Sequence, residues 1–364
     1  MQLSHLYNMA KAYVHRWMLQ NKYYNWYVFS HHLSDLWQKE VEKHYTGKHA
    51  DQDKTYAGSH HKTVIAICNG WVESGGWADR LKGILSTYLL CKENGWDFRL
   101  YYVHPFRLDT YLTPGTYDWR IADDEIHFDF SKARPIALET GSDSPYQAMK
   151  QKEWLRRQIE QASTEQVHVY TNAMFAYTDR YSQAFHELFQ TTDRLEKRIR
   201  ECMALLSPPY ISISARFLNS LGDFCDTMLV EPLPPGKRQL LIDGCMQKIE
   251  HIHKQHPGMT LLINSDSQAF LRLSDSLPYT KHIDGNIVHF DTVQQDAGYD
   301  AFEKTFIDFF LISRAQCIYR LKTQWMHKTG FPYAASRIND VTFRSIDFKL
   351  KKTATPKVFK QEED

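Results

Sequence analysis

No stretch of this sequence stays apolar over the length a helix needs to cross a bilayer, which excludes a membrane-spanning reading. The first ten residues, Met1 to Ala10, lack the basic start, apolar centre and small-residue cleavage site of a secretion signal. A cytoplasmic protein is therefore expected. A basic surplus is missing too: 44 lysines and arginines against 43 aspartates and glutamates leave a net charge of +1, where a nucleic-acid partner would call for a strong excess. The six cysteines (Cys68, Cys91, Cys202, Cys225, Cys245 and Cys317) include no Cys-x-x-Cys pair, and several lie in apolar runs. That pattern suits reduced structural thiols rather than disulfides or zinc ligands. Both standard nucleotide fingerprints are absent: there is no Gly-x-Gly-x-x-Gly and no phosphate loop ending in Gly-Lys-Ser/Thr. Nor does an Asp-x-Asp occur where it could hold a metal–diphosphate, since Asp123-Asp124 falls in an irregular stretch. No metal and no cofactor are expected.

What is present is an ordinary globular composition, 43% hydrophobic and 24% charged, over 364 residues, enough for two cores. Residues 1–60 stand apart as a helical extension and connector. Leu3 to Trp37 is aromatic with roughly helical spacing, and it either packs on a larger domain or lies on a membrane surface. Residues 61–206 then form a first domain. Thr63–Cys68 is an apolar run of strand length, followed by a Gly75-Gly76 turn. Leu81, Ile84, Leu85, Tyr88 and Leu89 follow at helical spacing, with Gly95 as the stop and Asp97–Val103 as the next strand. This is a unit of the doubly wound α/β kind. Residues 104–165 are poorly patterned, Val167–Tyr170 is a short strand, and Tyr181 to Leu206 reads as one long helix.

Residues 207–345 form a second domain. Its strands are Tyr210–Ile213, Thr260–Asn264, Ile287–Phe290 and Cys317–Arg320, with helices at Lys237–Gln255 and Asp300–Ser313. His251, His253 and His256 lie within or just beyond the first of these helices, but their spacing is wrong for a metal-binding face, so a solvated helix end is expected. Residues 346–364 are a charged tail without pattern.

Arg216 follows the Tyr210–Ile213 strand directly, Ser265-Asp266-Ser267 follows the next, and Thr329-Gly330-Phe331 opens a turn after the last. A parallel sheet gathers such strand ends along one edge, where open α/β folds bind ligands. Guanidinium and a hydroxyl suit a diphosphate, and a carboxylate suits a ribose or the donor edge of a purine. The plain alternative for Arg216 is a strand cap paired with Asp223, and for Arg80 a solvated side chain or a pair with Asp79.

Gly75-Gly-Trp-Ala-Asp-Arg-Leu-Lys-Gly-Ile-Leu-Ser86 resembles the Gly-Gly-Leu-x-Asn-Arg-Leu-Arg-x-Ile motif of the fucosyltransferase superfamily. That superfamily includes α-1,6-, bacterial nodulation, protein O- and α-1,2-fucosyltransferases. Ser214-Ala-Arg216 stands where that superfamily has His-x-Arg. Ser265-Asp266-Ser267 is similar to its Ser-Asp segment, and Thr329-Gly-Phe331 with Ala334-Ala335 to its Ser-x-Phe…Ala-Ala segment. The run Ser-Ala-Arg-Phe-x-Asn-x-x-Gly-Asp is similar to bacterial members of unassigned activity. The resemblance spans about residues 63 to 340.

It implies a GT-B fold of two Rossmann-like domains facing a cleft, and an inverting, metal-independent glycosyltransferase. The implied substrates are a nucleotide sugar, GDP-fucose, as donor and a glycan as acceptor. By position, Arg216 would hold the β-phosphate with Thr329 and nearby backbone N–H groups. Asp266 would bind guanine or ribose, and Arg80 would line the cleft beside Gly75 and Gly76. Ser214, Ser265, Ser267, Gly330 and Phe331 complete the expected donor site, and Glu73 and Asp223 are the carboxylates considered as catalytic base. Two departures stand out: Ser214 replaces the histidine, and Phe217 replaces a second basic residue. They leave open another nucleotide sugar, or a homologue that binds nucleotide or glycan without turnover. The acceptor, the linkage and the oligomeric state are not legible. A peripheral contact at the inner face of the membrane remains the second reading of the N-terminal helix.

Overall fold

The structure is a computed structural model that describes residues 26–48, 62–139, 145–175, 179–224, 230–288, 290–292 and 298–350. Expectations for Leu3 to Asn25, most of the connector, Cys225 and residues 351–364 lie outside the described residues.

In chain order the elements are α1 (Trp26–Glu42), β1 (Thr63–Cys68), α2 (Trp77–Asn94), β2 (Asp97–Tyr102), β3 (Leu112–Pro114), β4 (Ala133–Leu138), α3 (Pro145–Glu160) and β5 (Gln166–Thr171). They continue as α4 (Tyr181–Leu188), β6 (Phe189–Thr191), α5 (Asp193–Leu206), β7 (Tyr210–Ala215), α6 (Pro235–Gln255) and β8 (Thr260–Ser265). Last come α7 (Gln268–Ser274), β9 (Thr280–Lys281), α8 (Asp300–Ser313), β10 (Cys317–Lys322), α9 (Phe331–Ile338) and β11 (Phe343–Asp347). Two parallel sheets result, ordered β2-β1-β5-β4 and β11-β10-β7-β8-β9, beside a short antiparallel β3–β6 pair. Among the described residues no helix is long and apolar enough to cross a membrane.

The strand after the first glycine turn and the helix α2 form where the apolar periodicity puts them. Gly95 ends α2 in the left-handed conformation (φ 68°), with its N–H on the Cys91 carbonyl. Trp77 of α2 meets Phe306 at 5.2 Å and Phe309 at 6.1 Å, so late helix α8 packs directly on the first half. Phe106, Phe290, Phe302 and Tyr111 continue this aromatic seam.

The poorly patterned stretch hides β4 and α3. Pro135 argues against a central strand, and β4 is indeed the sheet edge. Helix α1 covers that edge through its side chains. Gln38 donates to the Pro135 carbonyl (3.0 Å) and accepts from the Ala137 N–H (2.8 Å), while Ser34 accepts from the Glu139 N–H (3.0 Å).

Three expectations are corrected. The single helix over Tyr181–Leu206 is broken at Phe189–Thr191, because Thr192 takes the N-cap of α5 and accepts from the Leu195 N–H. The described residues of 287–290 form no strand: Ile287 and Val288 are irregular, and Phe290 opens a short 3-10 turn. The outer position of the second sheet belongs to Thr280–Lys281, and Gly285 (φ 142°) then turns the chain across α8. The tail begins later than Ile346, since β11 runs parallel to β10 and Phe348 and Leu350 pack on the second core.

Candidate functional site

Strand β7 alternates its faces. Ile211, Ile213 and Ala215 pack in the core with Leu241, Cys245 and Ile249 of α6, while Tyr210 joins the core that contains α8. Ser212 and Ser214 share the Tyr210 face, where their small side chains leave room near the strand end. A cavity of about 380 Å³ opens there, between the carboxyl ends of the two sheets.

The second half contributes Ser214, Arg216, Ser265 and Asp266 to the cavity wall, together with Thr329, Gly330 and Phe331 at the start of α9. Glu73, Gly75 and Gly76 line it from the first half. Three expected residues lie off the wall. Arg80 is 1% exposed and sits behind the glycine turn, where acceptors converge on its guanidinium. It donates to Gly75 O (2.8 Å) and Asp291 Oδ1 (2.7 Å), and also to the His104 carbonyl. Asp79 pairs with Lys82 instead. Asp223 accepts from Ser267 Oγ (2.8 Å) and the Ala269 N–H (2.9 Å) at the start of α7, and Ser267 is that helix's N-cap. Both are engaged in capping, which explains their absence from the wall.

Asp266 has a role that its strand-end position did not foretell. Its Oδ1 accepts from the Phe217 N–H (2.8 Å) and its Oδ2 from the Leu218 N–H (2.7 Å). Leu218 is held at φ 52°, a strained conformation for a branched side chain. The Arg216 carbonyl accepts from the His327 N–H (3.0 Å), so the turn carrying Arg216 is fastened on both sides. Arg216 Nε lies 4.0 Å from Asp266 Oδ2, and its side chain is 26% exposed.

Burial pushes the Asp266 carboxyl up to about 6 from 3.8, against the pull of Arg216 and the two amides. Between those values the folded chain holds a proton that the unfolded chain has released. The stabilisation from that proton is complete below 3.8 and lost as pH rises through 6. Asp266→Asn lacks it. Between pH 4.5 and 7.5 the native protein should therefore lose about 2 kcal/mol relative to Asp266→Asn in urea unfolding. Equal pH slopes for the two proteins would refute this.

Sequence reasoning missed Lys304 and Asp308 on α8, which also line the cavity. Lys304 Nζ lies 2.6 Å from Asp308 Oδ2, while Asp308 Oδ1 is buried and has no hydrogen-bond partner among the described residues. The signal was available: Lys304 and Asp308 stand one turn apart on one face of a helix rich in buried aromatic residues. Ser214 Oγ, Asn264 Oδ1 and Asn172 Oδ1, also at the cavity, are likewise buried without partners among the described residues. A cavity with Arg216 on its wall and several buried oxygens without partners among the described residues suits a ligand with an anionic end and a donor-rich end.

No protein-family model matches this chain, and no curated protein matches it either. Among solved structures, the fucosyltransferase NodZ from Bradyrhizobium matches with a TM-score of 0.51 at 12% identity, over 80% of this chain and 96% of its own. A second structure of NodZ from Bradyrhizobium gives 0.51 at 10% identity, over 76% and 92%. NodZ α-1,6-fucosyltransferase co-crystallised with GDP gives 0.50 at 11% identity, again over 76% and 92%. At such identities the likeness establishes the fold: two doubly wound α/β units facing a cleft, the GT-B architecture.

Proposed function

We propose that this chain is a metal-independent, inverting glycosyltransferase that moves fucose from GDP-fucose to a glycan acceptor. The observation that carries the reading is Arg216, fastened at the carboxyl end of β7 on the wall of a cavity between the two sheets. The shared fold with a transferase that was co-crystallised with GDP supports it.

Arg216 would hold the β-phosphate, where negative charge builds as the sugar–phosphate bond breaks. A guanidinium already in place stabilises that charge without reorganising. Thr329, whose Oγ1 accepts from the Phe331 N–H (3.2 Å), and the start of α9 flank the same phosphate. The acceptor hydroxyl attacks C1 of the sugar from the opposite side, GDP departs, and a carboxylate takes the hydroxyl proton. Glu73 is the carboxylate for this step, because it is exposed at the cavity whereas Asp223 caps α7. Base recognition passes from Asp266, whose oxygens each accept a backbone amide, to Asp308, whose Oδ1 has no partner among the described residues. A carboxylate oxygen there matches the adjacent N–H donors of guanine.

Thermal unfolding with GDP, GDP-fucose, UDP and CMP tests the proposal. GDP compounds alone should raise the melting point, by the equivalent of about 2.7 kcal/mol at a hundredfold excess over Kd. Arg216→Ala should erase the shift. Stabilisation by UDP or CMP instead would move the donor to another nucleotide sugar. No shift with any of them would refute the transferase reading. A GDP shift without donor hydrolysis or transfer would favour a binding homologue, the reading that Ser214 in the histidine position keeps open.

A further inference from the structure

Lys304 and Asp308 stand one helical turn apart on α8, the lysine buried and the aspartate half-buried, both at the cavity. Burying a lysine is unfavourable unless its charge is matched, and here Asp308 Oδ2 matches it at 2.6 Å. The lysine stem has little freedom to leave. Gly285 packs on it so closely that a Cβ at that position would lie 2.9 Å from Lys304 Cδ. Gln268 donates to the Gly285 carbonyl (3.2 Å) and steadies that loop. The pairing occupies Oδ2 and leaves Oδ1 as the oxygen without a partner among the described residues.

We infer that Lys304 is a positioning residue: by holding Asp308 ionised and fixed through Oδ2, it keeps Oδ1 available as an acceptor for the N–H donors of a guanine base. This rests on the base-recognition role given to Asp308 above. Lys304 itself need not touch the nucleotide. Without it, nothing on the same helix offsets the burial that raises the Asp308 carboxyl above the usual carboxylate range. A protonated carboxyl has lost the uniform acceptor character that opposing N–H groups need. The other titratable groups facing Asp308 are His282, held between Asp275 (2.9 Å) and Asp284 (3.2 Å), and Cys202 of α5. Among the described residues, His282 is therefore the other group able to supply positive charge in place of Lys304, and only in its protonated form.

The test is calorimetric titration of GDP and ADP at pH 6 and pH 8.5, with the native protein, Lys304→Met, Lys304→Arg and Asp308→Asn. Titration of the nucleotide phosphates is common to all four proteins and cancels in their ratios. Lys304→Met should weaken GDP binding about tenfold at pH 6, the worth of one hydrogen bond to a charged group, and less at pH 8.5. ADP binding should hardly change, and Lys304→Arg should restore GDP binding. Equal losses for GDP and ADP, or a loss independent of pH, would overturn the inference by making Lys304 a merely structural residue. If Lys304→Met does not fold, judged by circular dichroism, Lys304→Gln takes its place with the same expectations. Asp308→Asn separates the two levels. If it erases the preference for GDP over ADP while Lys304→Met does not, the role of Lys304 falls alone. If the preference survives in Asp308→Asn, base recognition by Asp308 falls and the role of Lys304 with it.

Discussion

Gly83→Ala should leave little stably folded protein. Gly83 lies on the face of α2 that crosses the end of β5, and a Cβ there would stand 2.0 Å from the Thr171 carbonyl oxygen and 2.7 Å from its carbon. The obstacle is backbone, not a side chain that can turn aside. Helix α2 would have to lift from the sheet, and all its residues from Trp77 to Cys91 except Asp79 and Lys82 are buried, with β1, β2, α4 and α9 as neighbours. Overpacking usually costs 1–3 kcal/mol. With a rigid neighbour and a helix held on several sides, about 3 kcal/mol or more is expected. Gly236→Ala, in α6 with nothing within 4 Å of its added carbon, is the control. It should be neutral or stabilise by up to about 1 kcal/mol. Denaturant unfolding of both variants decides the matter, and a Gly83→Ala protein as stable as the native one would refute the close approach.

Asp291→Ala should cost nearly as much, for an electrostatic reason. Arg80 is 1% exposed, and Asp291 Oδ1 at 2.7 Å supplies the negative charge that its guanidinium faces. The other acceptors named for it, Gly75 O, Tyr102 OH and the His104 carbonyl, are neutral. Removing one partner of a buried pair leaves the other charge uncompensated, a loss of about 3–5 kcal/mol. Asp291 Oδ2 also accepts from the Gly75 N–H (2.8 Å), so the glycine turn at the cavity loosens as well. The double variant Arg80→Met/Asp291→Leu should recover much of the stability, because no buried charge then remains. It should not recover nucleotide affinity if the Gly75 contact matters to the cavity. An Asp291→Ala protein within about 1 kcal/mol of native would mean that water reaches Arg80, contrary to its burial.

Both effects are three-dimensional readings of residues whose chemistry was already visible in one dimension. Gly75, Gly76 and Arg80 mark a turn and a helix start after β1, but the partner of Arg80 lies 211 positions away, just past the run Ile287–Phe290 that reads as a strand. Local spacing cannot report that pairing. Asp266 illustrates the same limit: its place after a buried strand is plain from Thr260–Ser265, yet only the left-handed turn at Leu218 brings two backbone amides to its oxygens.

The strands at Thr63, Tyr210, Thr260 and Cys317 were determined by sequence alone, because short, mainly apolar runs of strand length bury both faces in a parallel sheet. Helices α2, α6 and α8 were determined likewise, by an apolar face recurring at helical period and by stops such as Gly95. That strand ends carry Arg216, Asp266 and Thr329 toward one edge also follows from chain order and the handedness of parallel crossovers. Tertiary structure decided the rest. It chose which residues face the cavity, turned Arg80, Asp223 and Ser267 away to satisfy charges and helix ends, and brought Lys304 and Asp308 in from α8. The physical reason is that a buried charge or an orphan amide must find a partner wherever the fold provides one, and distance along the chain places no limit on where that is.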